Sequence, residues 1–389
     1  MQYLDDYRDK DRIQTLVRAI QKETVHSWKI MEICGGQTHA IARYRIEEMI
    51  PSNITLLHGP GCPVCVTPDK IIDHAIEIAR KPNVIFTSFG DMIRVPGSRS
   101  DLLQAKAQGA DVRILYSPLD AVELAVANPE KEIVFFAIGF ETTIPVHLMA
   151  LQEAVRKGLK NFSLLCSFFA VPPAIEMILS QPDNQIDGFL AAGHVCAITG
   201  YEAYYRLAVN YHKPMVVTGF EPADLLYGIY KCILQLEKGE AKVENAYKRA
   251  VQEAGNREAM NLMETFLEPV GWEWRGIGYY PASGFSLRKK YAIFDAAIKF
   301  PDLCHGVLNL IQDLPPSPEN EALGIAGLRY AMPAMTDNKC IAGEIMKGNR
   351  QVADCPYFGT VCNPAHPLGA PMVSEEGVCA AYYNYQTVM

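Results

Sequence analysis

Residues 133–143 read IVFFAIGFETT. Six apolar residues run from Ile133 to Ile138 without a polar residue between them, and Gly139 turns the chain into Phe140, Glu141, Thr142 and Thr143. A strand that does not alternate apolar with polar is buried on both faces, the habit of parallel sheets packed between helices. The same outline recurs in both directions along the chain: ITLLHGPG (54–61), VIFTSFGD (84–91), VRILYSP (112–118), FSLLCSFF (162–169), DGFLAAGH (187–194) and PMVVTGFE (214–221). Stretches of helical periodicity separate these runs, so the expected fold is α/β, as one domain or two small ones in tandem. The repeated Gly–Phe–Glu at 139–141 and 219–221 points to two related halves. Ligands bind such folds at the carboxyl ends of the strands, and that is where the polar residues of these runs fall.

The whole chain has 389 residues, room for two to three domains at about 150 residues each. With 49% hydrophobic and 21% charged residues it is not a disordered chain. Its 36 basic and 44 acidic residues give a net charge of −8, which argues against a nucleic-acid partner, because affinity for phosphates needs positive charge. No apolar run approaches the ~20 residues of a membrane span. The start, MQYLDDYRDKDR, lacks the apolar core of a signal peptide, so a cytoplasmic protein without a membrane partner is expected.

Helix starts are legible too. Thr67, Pro68 and Asp69 supply an N-cap, a first-turn proline and an early acid ahead of Ile71, Ile72, Ala75 and Ile78. A helix following Cys34 is expected to bury Ile46, Met49 and Ile50. Residues 223–267 read as mostly helical, and DLPPSPEN (313–320) as a loop or linker.

Eleven cysteines are the unusual feature. In a reducing compartment, clustered thiols bind metal or do redox chemistry. Cys62 and Cys65 lie in CPVC, a spacing that closes a disulfide or shares a metal ion, just ahead of a helix start. Cys34 lies in ICGGQTHA (33–40), where two glycines allow close backbone approach and Gln37, Thr38 and His39 complete a compact polar set. Cys340, Cys355, Cys362 and Cys379 crowd a Gly- and Pro-rich tail with the spacing C-x14-C-x6-C-x16-C. Four thiolates in a segment short of apolar residues suit a metal centre that replaces a core. The spacing alone leaves zinc and an iron–sulfur cluster open, and the lack of close C-x2-C pairs favours the cluster. Glu141 in GFETT, His194 in GHVCAITG and Asp91 in FGDM sit at strand ends as further candidates. Each also has a plain reading, as a helix cap or a hydrogen-bonded fixture. Cys166, Cys196, Cys232 and Cys304 read as small buried hydrophobes. There is no phosphate-binding G-x4-GK[ST], no HExxH and no strand-linked G-x-G-x-x-G.

Taken in order, ICGGQTHA, GPGCPVC, GFETT, GHV and the four-cysteine tail resemble HypD, the family of nickel–iron hydrogenase maturation factors, from about Glu32 to Tyr385. The resemblance implies two similar Rossmann-like parallel-sheet α/β domains, at 1–128 and 129–225. A helical region and a C-terminal 4Fe-4S cluster domain would follow at 226–389. It further implies a cofactor-assembly scaffold with redox capacity, working with a HypC-type small chaperone to build an Fe(CN)2(CO) unit, with HypE as transient cyanide donor. Carried over motif by motif, Cys34 would contact the iron and Cys62 and Cys65 would form a thiol–disulfide pair. Cys340, Cys355, Cys362 and Cys379 would hold the cluster, and His39, Glu141 and His194 would hold cyanides or manage protons, as Glu376 would near the cluster. Phe168 and the region of Pro371 depart from the pattern, where many members carry a histidine and a cysteine, so no ligand is placed at either. Two other readings of the residues compete. One is an iron–sulfur-dependent disulfide reductase in which Cys34 is idle, and the other is an interaction protein with a zinc-stabilised tail.

Overall fold

The seven apolar runs all form strands in the computed structural model, which describes residues 6–301 and 339–385. In chain order the strands are β1 (Trp28–Glu32), β2 (Ile54–His58), β3 (Val84–Ser88), β4 (Val112–Ile114), β5 (Glu132–Gly139) and β6 (Phe162–Phe169). They continue as β7 (Gly188–Ala192), β8 (Met215–Thr218), β9 (Val243–Asn245), β10 (Leu267–Trp274) and β11 (Gly278–Leu287). The strands make two sheets. One has the order β2–β1–β7–β8–β9 with every pair parallel. The other runs β10–β11–β6–β5–β3–β4 and is parallel except where β11 pairs antiparallel with β10 and β6.

Side chains that alternate across a strand serve different cores. In β5, Ile133, Phe135 and Ala137 pack with Leu148 and Leu151 of helix Ile144–Arg156. Val134 and Phe136 point the other way, into a core that also takes Met31, Leu57, Phe189, Ala191 and Val217 from the first sheet. That shared core joins the two sheets. The outer face of the first sheet, with Ile30, Leu56, Leu190 and Val216, is covered by helices Lys10–Glu23 and Pro222–Glu237. A smaller apolar group of Ile345, Val352, Cys362, Met372, Val378 and Cys379 gathers the C-terminal segment against Ala42.

The expected domain boundaries do not separate the sheets. The first sheet takes strands from 28–58 and 188–245, the second from 84–169 and 267–287, so the chain passes from one to the other three times. Local details differ from the reading as well. The helix after Cys34 ends at Tyr44, because Arg45 is left-handed (φ 54°), and a separate turn, Ile46–Met49, carries the apolar residues expected of it. Pro68, not Thr67, caps helix Asp69–Ala79, and the Thr67 hydroxyl is used instead on the Pro63 carbonyl and Ser167. The mostly helical stretch also holds the short strand β9. Cys304 and the linker at 313–320 lie outside the described residues. No described helix is long and apolar enough to cross a membrane.

Candidate functional site

In the first sheet the chain leaves β1 for β2 on one side, while β7 pairs with β1 on the other. A crevice opens at the carboxyl ends where connections diverge like this. Cys34 follows β1 and His194 follows β7, and their side chains meet there, with Cys34 Sγ 3.7 Å from His194 Nδ1 and 3.8 Å from Nε2. Cys34 is 3% exposed and stands in extended backbone at the start of helix Gly35–Tyr44. Its amide donates to Glu32 Oε2 at 2.7 Å, and its carbonyl accepts from the amides of Gln37 and Thr38. The His194 ring is backed edge-on by Phe220, at 5.1 Å between centroids. Burial drives the Cys34 thiol far above its ordinary range, with the Glu32 carboxylate adding to it, and burial lowers His194 to about 4. At neutral pH the pair is therefore a protonated thiol beside a neutral imidazole.

The CPVC segment closes over this loop. A Cβ on Gly61 would lie 2.3 Å from the Cys34 Cα, so only glycine lets the two backbones touch. Gly35 donates its amide to the Gly61 carbonyl at 3.0 Å. Cys62 and Cys65 are joined as a disulfide across the one-turn helix Pro63–Val66, and both are buried. A small cavity borders Cys62 and Cys65 together with Thr38, Met346 and Glu376. It brings the disulfide, the Cys34 helix and the C-terminal segment to one place.

Cys340, Cys355, Cys362 and Cys379 surround a single small cavity whose other walls are mostly apolar, among them Ile341, Ile345, Phe358 and Met372. Burial raises the Cys340, Cys362 and Cys379 thiols, and the neighbouring sulfurs, Cys355 among them, raise them further. The Leu368 amide donates to Cys362 Sγ at 3.4 Å, a contact that favours thiolate. Among the described residues no three His, Cys, Asp or Glu side chains are gathered about one point tightly enough for a single ion. A ring of four thiols around an apolar cavity, with an amide donor on one sulfur, fits a four-iron cluster, in which each thiolate meets its own iron.

The remaining sequence candidates divide. Glu141, 3% exposed, does not cap its own helix: its Oε1 accepts the Val171 amide at 2.9 Å, and Oε2 has no hydrogen-bond partner among the described residues. Burial raises its carboxyl to about 7, and its charge reaches Cys196 and Tyr204. His39 is turned to the C-terminal helix, where Nε2 lies 3.1 Å from the Tyr385 hydroxyl. Glu376 belongs to the Cys34 side, since its carbonyl blocks any Cβ on Gly35 and its charge acts on Cys34. Asp91 accepts from the Ser374 hydroxyl at 3.2 Å and raises Glu376 further. Phe168 is fully buried core. Cys196 and Cys232 are buried thiols raised by burial. Glu32 and His58, each the last residue of its strand, were not singled out from sequence, yet their side chains are buried and bonded to each other at 2.7 Å. A polar residue closing an otherwise apolar strand was the available signal.

The HypD family, described as the hydrogenase formation hypA family, matches residues 11–313 and 320–386. The chain is 41% identical over 394 residues to the hydrogenase maturation factor HypD of Escherichia coli (strain K12), covering 99% of this chain and 98% of that one. It is 44% identical over 375 residues to that of Rhodobacter capsulatus, covering 96% and 93%. With the protein of the same name from Azotobacter vinelandii it shares 42% identity, covering 99% and 97%.

Proposed function

The chain belongs to the HypD family of hydrogenase maturation factors, and from that premise we propose that it is the scaffold on which an Fe(CN)2(CO) unit is built. The iron is cargo, held by Cys34 and shared with a HypC-type chaperone, while HypE brings cyanide. One observation carries this reading: the buried Cys34 thiol faces His194 at a strand-end crevice, with a disulfide closed over the same loop. A soft thiolate suits iron with strong-field ligands. A thiol held protonated by burial gives up its proton when a metal replaces it, which keeps the empty site inert. His194 orients the thiol and its ligands by hydrogen bonding, and Glu141 Oε2 is the buried atom that stores a proton. His39 acts indirectly, by docking the C-terminal helix through Tyr385.

When bound to Cys340, Cys355, Cys362 and Cys379, the 4Fe-4S cluster would supply electrons one at a time. The Cys62–Cys65 pair holds two as a dithiol and releases them on closing its disulfide. This cysteine usage suits the reducing cytoplasm. The test is anaerobic co-purification with the HypC partner, followed by infrared spectroscopy for bound cyanide and carbonyl. Cys34→Ser should fold, keep cluster absorption and lose those bands, because a hard hydroxyl replaces a soft thiolate poorly. Full bands in soluble Cys34→Ser would move the iron elsewhere. An iron–sulfur disulfide reductase would keep its activity in that variant, and zinc without sulfide in the purified protein would reduce the tail to a structural element.

A further inference from the structure

Behind Cys34 runs a buried line of hydrogen bonds that the scaffold reading does not use. Glu32 is 1% exposed at the end of β1. Its Oε2 accepts the Cys34 amide at 2.7 Å, and its Oε1 accepts the Thr38 hydroxyl and lies 2.7 Å from His58 Nδ1. His58 ends β2 directly opposite Glu32 in the parallel register. On the other side of its ring, Nε2 is 2.6 Å from the Tyr382 hydroxyl, which donates to Glu47 Oε2 at 2.8 Å. Tyr382 is on helix Val378–Tyr385, three residues beyond Cys379 and so on a neighbouring face of that helix. Three side chains, Tyr382, His58 and Glu32, thus link the helix of a tail cysteine to the amide of Cys34, 348 positions earlier in the chain. A buried carboxylate is costly to leave short of partners, so Glu32 holds its place only while His58 and Thr38 hold it.

We propose that Glu32, His58 and Tyr382 are positioning residues for Cys34, through which the docked C-terminal helix fixes the Cys34 amide and the direction of its thiol. Assembly of the tail then completes the Cys34 site. A tail that has not formed leaves His58 Nε2 without Tyr382, its hold on Glu32 unfixed and the thiol unaimed, so iron is not accepted on an unfinished protein. That consequence rests on the scaffold reading; the linkage itself does not.

The same helix provides an internal control. Tyr385 also reaches helix Gly35–Tyr44, through His39 at 3.1 Å, but that contact is not part of the line to Glu32. Hydrogen exchange on the full-length chain, read by mass spectrometry with overlapping peptides that isolate the Cys34 amide, measures the linkage without iron. Tyr382→Phe should speed exchange at Cys34 about tenfold, the usual worth of one buried hydrogen bond. Tyr385→Phe should leave the Cys34 amide unchanged. If Tyr382→Phe folds poorly, Glu47→Gln weakens the far end of the line from a half-buried position and should still speed Cys34 exchange several-fold. Visible cluster absorption should persist in Tyr382→Phe, and in complex with the chaperone its cyanide bands should shift or broaden. Unchanged exchange in both Tyr382→Phe and Glu47→Gln overturns the proposal. Equal acceleration in Tyr382→Phe and Tyr385→Phe does so too, by reducing the contact to helix docking alone. If Cys34→Ser instead retains the infrared bands while Tyr382→Phe speeds exchange, the scaffold reading fails and the linkage stands.

Discussion

Replacing Glu141 by Gln should change how stability responds to pH, in a direction set by burial. The carboxyl is lifted from an ordinary value of 4.5 to about 7, chiefly because burial penalises its charged form. A raised folded-state value means that the folded chain binds the proton more tightly than the unfolded one. Its contribution is therefore complete below pH 4.5 and is lost as pH rises through 7. Each pH unit of that gap is worth about 1.4 kcal/mol, so the total is about 3 kcal/mol, of which about 2 are lost between pH 5 and pH 7.5. His147 and His194, both lowered by burial to about 4, work in the opposite sense, adding stability as pH rises from 4 to 6.5. They are common to both proteins and cancel in the difference. Gln keeps an oxygen for the Val171 amide and cannot ionise. Urea unfolding of parent and Glu141→Gln at the two pH values should show the variant gaining about 2 kcal/mol relative to the parent at the higher pH. A difference that stays the same at both would show that the carboxyl is hydrated, and that its burial does not govern its proton.

Three other perturbations have defined outcomes. Gly61→Ala places a methyl 2.3 Å from Cys34 Cα; the backbones must part, at a cost of about 1–3 kcal/mol by thermal unfolding, with the cyanide and carbonyl bands of the loaded complex weakened. Cys355→Ala or Cys362→Ala should remove iron–sulfur absorption and expose the C-terminal segment to protease, and a full complement of iron and sulfide would take that residue out of the ligand set. Alkylation with and without prior reduction should show Cys62 and Cys65 protected together until reduced, while Cys166 and Cys232 stay unreactive until the chain unfolds. Free labelling of Cys62 and Cys65 under oxidising conditions would end their role as an electron relay.

Six of the seven apolar runs were legible because strands buried on both faces leave no alternation to misread, and β5 keeps seven of its eight residues buried; the edge strand β4, with Ile114 exposed, is the exception. β1 was not. WKIME is five residues with a lysine and a glutamate, and it is a strand because β2 and β7 pair with it from both sides. The hairpin β10–β11 was missed for a similar reason: its register slips between Val270 and Trp272, which breaks the period of two. Cys34 and His194 could each be named from sequence as strand-end residues. Their meeting could not, because it depends on β1 and β7 being neighbours although 155 residues lie between Glu32 and Gly188. The same fact puts strands of each sheet on both sides of the boundary between residues 128 and 129. Glu32 and His58 are a matched pair only in the register that sets them opposite each other.

The chain's return to its first sheet also dictates an order of events during synthesis. β1 and β2 leave the ribosome first, but 130 residues separate His58 from Gly188, where the next strand of that sheet begins. At 5–20 residues per second, the side of β1 that will receive β7 waits about 7 to 26 seconds for its partner. Through that interval Ile30 and Met31 sit on a strand with one open edge, which is the geometry that invites pairing with a stranger. Expression of an N-terminal fragment should therefore yield aggregate rather than a domain. Cys34, at the end of that waiting strand, does not meet His194 until β7 has emerged.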